Sequence, residues 1–115
     1  MNNIKIKLKT SELTGAALDW AVAKCELGEA INEIDDPHFY STDWALAGPI
    51  IERERIGFKY TGTAMEFVAW VNGELSTVND QHGPTPLIAA MRCYVASKFG
   101  DDLVLFKVEV PNELA

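Results

Sequence analysis

Few side chains in this chain have the spacing that chemistry needs. Its two histidines, His38 and His82, both fall in predicted loops. His82 follows Asp80 by two residues. A histidine works as a general base only with a partner in hydrogen-bond reach, and sequence does not place one. Asp35, Asp36 and His38 carry metal-ligand atoms, but their spacing matches no known metal site, and a solvated acidic loop is the simpler reading. Cys25 and Cys93 make no zinc pattern and read as reduced core thiols. Phosphate-binding loop, dinucleotide fingerprint and nucleophile elbow are all missing from the sequence. The expectation is a protein that is not an enzyme and holds no cofactor or metal.

A weaker constellation involves two helix starts. Ser41-Thr42-Asp43-Trp44 and Gly83-Pro84-Thr85-Pro86-Leu87 each place a capping side chain before an apolar run. Helix N-termini carry free N–H groups that favour anions. If the two meet, Ser41, Thr42, Asp43, Trp44, Thr85 and Arg92 form a ligand-binding set for a small anion such as a nucleotide. Taken singly, each residue has a plainer role: a cap, a core tryptophan, or a paired arginine.

The elements that must position these residues follow from periodicity. Thr85 to Gly100 is the clearest. Leu87, Ile88, Met91, Tyr94, Val95 and Phe99 recur at helical spacing, so this is a mostly buried core helix stopped by Gly100. Thr14 caps another helix, with Leu13 and Leu18 as a hydrophobic staple, Leu18, Ala21, Val22 and Cys25 as its stripe, and Gly28 as its stop. Trp20 lies off that stripe. Glu26 to Asp36 reads as an acidic loop. Beyond Asp43, Gly48-Pro49 interrupts the pattern, which gives two short helical pieces or one helix kinked at Pro49. Glu52 to Arg55 reads as its solvated face.

Strands come from alternation. Ile4 to Lys9 puts isoleucines and Leu8 on one face and lysines on the other, as at a sheet edge. Ile56 to Tyr60 is a second strand, and Met65 to Val71, apolar on both faces, is an inner one. Asn72-Gly73 predicts a tight turn into Glu74 to Val78, with 79–84 as a loop. Leu103 to Val110 is the last strand. The expected fold is therefore a single α+β domain over 1–115. Its small antiparallel or mixed sheet, a three-strand meander plus terminal strands, packs with about three helices. The helical layer is apolar enough to suit a homodimer.

Composition narrows the partners. Lys and Arg number 10 against 17 Asp and Glu, a net charge of −7. That balance lacks the basic footprint of direct nucleic-acid binding and suits a host or phage protein with a basic face. No apolar run approaches the roughly 20 residues that span a bilayer, and Lys5, Lys7 and Lys9 interrupt any leader. A soluble protein of the cytoplasm is expected.

Four stretches carry a family resemblance: Ser11 to Trp20, Tyr40 to Trp44, Gly48 to Glu52 and Gly83 to Arg92. Together they resemble the NinX-like phage proteins, a family of unknown function in lambdoid phages and prophages of enteric bacteria. The likeness spans roughly residues 4 to 100. It departs from the usual pattern at Glu26 to Phe39 and Asp101 to Val110. A looser similarity, to small phage αβα-sandwich domains, implies one continuous, proline-kinked helix over Ser41 to Arg55. The family implies a phage or prophage product acting in the bacterial cytoplasm; the residues themselves read as a binding module, for a host protein first and a small anionic ligand second. It supplies no catalytic residues.

Overall fold

A computed structural model describes residues 5–28, 38–62, 65–71, 80–100 and 102–106, with side chains over all of these except 5–8 and 102–106. The chain runs β1 (Lys5–Lys9), a 3-10 turn (Thr10–Glu12), α1 (Gly15–Leu27), α2 (Trp44–Glu54), β2 (Gly57–Tyr60), β3 (Phe67–Trp70), β4 (Gln81–Gly83), α3 (Pro86–Phe99) and β5 (Asp102–Phe106). β2, β3 and β4 form an antiparallel sheet in that order, while β1 and β5 pair with each other as a separate antiparallel ribbon.

α3 is the element on which the rest is laid. Thr85 accepts from the Ile88 N–H at 3.1 Å, and Pro86 opens the helix where its missing N–H costs nothing. Gly100 closes it with φ of 76°, a conformation that favours glycine. Leu87, Met91, Cys93, Tyr94 and Val95 are buried almost completely. They meet Leu13, Leu18 and Val22 around α1, Ala47 and Ile50 of α2, and Ala69 of the sheet in one core. A Cβ added at Gly83 would lie 2.7 Å from the Ala89 backbone nitrogen. Glycine at 83 is thus what lets β4 lie directly on the first turn of α3.

α2 is one continuous helix with Pro49 inside it, which decides between the two readings of Ser41 to Arg55. Asp43 is its N-cap, accepting from the Ala45 N–H at 2.9 Å. Arg55 ends it in the left-handed region, φ 56°, and the Ile56 N–H reaches back to the Ile51 carbonyl at 3.0 Å. Buried Ala47 and Ile50 and core-packed Leu46 and Ile51 hold the helix despite the bond Pro49 removes. Trp20 is half-buried against the core, with Lys24 over its ring at 5.9 Å.

Three expectations change. Residues 79–84 are not all loop: Gln81–Gly83 is the third strand of the sheet. Gln-His-Gly has little strand character of its own, and pairing with β3 under α3 imposes it. The predicted turn at Asn72-Gly73 and the strand Glu74 to Val78 lie outside the described residues, as does most of the acidic stretch after Gly28. Glu26, placed in that acidic loop, is instead in the last turn of α1. Arg53, read as part of a solvated face, grips it: the two Nη atoms donate to the Glu26 carboxylate at 3.3 and 2.7 Å. The Tyr94 hydroxyl donates to the same carboxylate at 2.5 Å. Arg53 and then Tyr94 hold the Glu26 carboxyl below its ordinary range, against the opposing effect of burial. This junction ties α1, α2 and α3 together.

Candidate functional site

The hydrogen-bond parity of the sheet decides which backbone groups face outward. The Thr61 N–H donates to the Glu66 carbonyl at 2.9 Å. From that pair the register runs Tyr60 to Phe67, Lys59 to Val68, Phe58 to Ala69 and Gly57 to Trp70. Bonded and non-bonded pairs alternate along an antiparallel ladder. Lys59 and Gly57 therefore turn their backbone groups toward β3, while Phe58 and Tyr60 turn theirs away from the sheet. On the far side Phe67 and Ala69 face Gly83 and Gln81, and His82 turns outward.

The two outer edges meet different fates. At β4 the outward carbonyl of His82 accepts from Arg92 Nη1 at 2.7 Å, and Arg92 Nε donates to the Leu13 carbonyl at 2.7 Å. One guanidinium on α3 thus closes the edge and ties it to the start of α1. Burial lowers the Arg92 pKa, and nearby Glu66 opposes that shift. Around this closed edge lies an open cleft of about 400 Å³, lined by Glu66, Asp80, Gln81, His82 and Arg92 among others. His82 Nδ1 sits 2.5 Å from Glu66 Oε1. The buried Gln81 Oε1 has no hydrogen-bond partner among the described residues. This pairing of His82 ties the β4 histidine to Glu66 just before β3, and both side chains remain partly open to solvent. Ser11 also lines the cleft, and its hydroxyl makes no hydrogen bond to His82 among the described residues.

At β2 the outward N–H and C=O groups of Phe58 and Tyr60 have no partner among the described residues. Their side chains share the α3 face of the sheet, two residues apart on one strand. The Trp44 ring lies 6.0 Å from that of Phe58, and the Tyr60 ring 5.3 Å from that of Phe67. Trp44 and Tyr60 are each 52% exposed. Lys59 stands between them on the opposite face, exposed and without an ion pair among the described residues.

The six residues singled out from sequence divide between these places. Thr85 and Asp43 cap their helices. Ser41 is buried, and its N–H donates to Asp19 Oδ1 at 2.8 Å. The Thr42 hydroxyl donates to the Phe39 carbonyl at 3.5 Å. Trp44 flanks β2 and Arg92 closes β4, with β3 between those strands. Only Arg92 of the six lines the cleft, together with the Gly83-Pro84 approach. His82 and Asp80, paired in sequence as a weak signal, line it too. Phe58, Tyr60, Glu66 and Gln81 were not foreseen as site residues; an exposed lysine between two aromatics was the sign of an edge strand. His38, on the other side of the chain's long acidic stretch, lies 5.9 Å from the Tyr40 ring. No cluster of three metal-ligating side chains occurs among the described residues.

The fold is a small α+β domain in which Arg92 closes one edge of the sheet, while the other edge has no partner among the described residues. The sequence profile of the family described as Bacteriophage P22, NinX matches residues 9–98, and the chain belongs to that family. A search of curated proteins finds no match. No described helix is long and apolar enough to cross a membrane.

Proposed function

We propose that this phage protein is a non-catalytic binding module of the host cytoplasm that docks an extended segment of a host protein on the open edge of β2. The observation behind it is the pair of outward-facing residues, Phe58 and Tyr60, whose backbone groups have no partner among the described residues and lie beside half-exposed Trp44 and Tyr60 rings. Backbone groups of this kind supply affinity for an added strand, and flanking side chains supply selectivity. Tryptophan and tyrosine are among the side chains that most often anchor protein contacts.

A small anion beside Arg92 is the weaker reading. Arg92 already spends two of its donors on carbonyls, and Glu66 and Asp80 put carboxylates in the same cleft. His82 and Glu66 pair with each other in that cleft, and no hydroxyl or thiol is hydrogen-bonded to His82 among the described residues.

Proline at 60 tests this cleanly. The Tyr60 N–H faces away from the sheet, so proline removes a docking group and no ladder bond. Tyr60→Pro is expected to keep the melting temperature within a few degrees while abolishing capture of the host protein that the wild-type chain retains. Equal capture by both would exclude the β2 edge as the docking surface.

A further inference from the structure

We infer that the segment taken up by β2 is antiparallel and reads apolar–acidic–apolar, with its acidic residue directly opposite Lys59. This rests on the strand docking proposed above and adds the chemistry of the occupant.

The argument starts from parity. An incoming strand can exchange hydrogen bonds only with Phe58 and Tyr60, because Lys59 gives its backbone groups to Val68. Lys59 then sits in a non-hydrogen-bonded pair, the closer of the two pair types, with Cα atoms about 4.5 Å apart. Its side chain is exposed, on the face away from α3, with no ion pair among the described residues. The residue facing it across the new ladder is held within reach of its ammonium group, and opposite charge there is favourable. The two neighbouring positions of the incoming strand point to the other face. There they meet Phe58 under Trp44 on one side and Tyr60 beside Phe67 on the other. Those positions want β-branched or aromatic side chains, which pair well with aromatics across a sheet.

The same geometry disfavours a second copy of this chain. The self-paired register that uses all the outward groups places Phe58 of each copy opposite Tyr60 of the other. It also sets the two Lys59 side chains directly against each other, and like charges so opposed are destabilising. A slip of two residues relieves the lysines but leaves half of the outward groups unpaired. Lysine on an edge strand is a recognised block to self-association. Here it doubles as the selector for an acidic partner.

The test uses the full chain, labelled with nitrogen-15, and two disulfide-cyclised hairpin peptides whose exposed strand reads Val-Glu-Val or Val-Lys-Val. Val-Glu-Val is expected to slow exchange of the Phe58 and Tyr60 amides specifically, and to bind roughly two- to fivefold more tightly than Val-Lys-Val. Lys59→Glu should invert that order. Protection of both amides without a charge preference, or a preference that Lys59→Glu leaves unmoved, overturns the acidic rule and leaves strand docking standing. No protection by either peptide overturns both. Dimers in sedimentation whose Phe58 and Tyr60 amides are already protected without peptide would assign the edge to a second copy and overturn the proposal.

Discussion

The two edges of one three-stranded sheet are treated in opposite ways. β4 is three residues long, offers one outward residue, and has that residue's carbonyl taken by Arg92. β2 offers two outward residues and nothing described pairs with them. Edge strands invite association, and proteins blunt those that are not meant to pair. Both devices are present here, but they differ in kind. β4 is blunted by shortness and by a half-buried cation that occupies its outward carbonyl. Among the described residues β2 is guarded by the charge of Lys59, and on the proposed docking that charge discriminates among partners rather than excluding all of them.

The most disruptive way to break the contrast is to lift β4 from α3. A side chain at 83 collides with Ala89 backbone at 2.7 Å, and backbone cannot give as a flexible side chain can. Gly83→Val should destabilise the domain by about 3 kcal/mol or more, in the class of core overpacking. Urea unfolding reads it directly. Next is Arg92→Ala, which leaves two carbonyls, Leu13 and His82, without their charged donor. A loss of about 2 kcal/mol follows from hydrogen bonds to charged groups. Loss of the edge seal should also raise self-association in sedimentation, an effect Gly83→Val does not share at equal stability. Arg92→Lys should recover little, because one ammonium does not span the two acceptors that the guanidinium fork reaches.

How much of this was legible in the residues depends on how local the cause is. α3 was readable to the residue, because Thr85, Pro86 and Gly100 each act on their own turn of backbone. β3 as the inner strand was readable from apolar residues on both faces. β4 was not, since its strand state comes from β3 and α3 rather than from Gln81, His82 and Gly83. Arg92 stood out as a rare cation on the core helix, but its two carbonyl partners lie 10 and 79 residues away in sequence and no periodicity links them. The open edge needs the parity of the whole ladder, which a single bond at Thr61 fixes once the register is known. The hairpin at Asn72-Gly73 falls outside the described residues.

A smaller effect sharpens the β2 side alone. Trp44 stands at the N-terminal end of α2, and Arg53 near the other end is held by Glu26 and Tyr94. The Glu26 carboxyl is depressed below its ordinary value of 4.5, first by the Arg53 hydrogen bonds. A depressed acid contributes stability above its unfolded pKa and loses it as pH falls through the lower folded value. The contribution is therefore present at neutral pH and fades below about pH 4.5. Because the pair is partly exposed it should amount to less than about 1 kcal/mol. Glu26→Gln should lower stability by that much at pH 7, flatten this part of the acid limb, and shift Trp44 fluorescence without disturbing the Arg92 seal. An unchanged acid limb would remove the junction as the anchor of α2.

The smallest effect on stability is expected where the effect on association is clearest. Lys59 is exposed and its backbone bonds do not depend on its side chain. Lys59→Val should change folding stability by no more than about 0.5 kcal/mol. It should nevertheless convert a discriminating edge into a permissive one, because valine favours the strand and removes the only opposed charge in the self-paired register. The variant is expected to dimerise at concentrations where the wild-type chain is monomeric, and Tyr60→Pro added to it should restore the monomer. A Lys59→Val chain that stays monomeric would mean that something other than charge guards β2. The contrast between a sealed edge and a selective one would then fail at this residue.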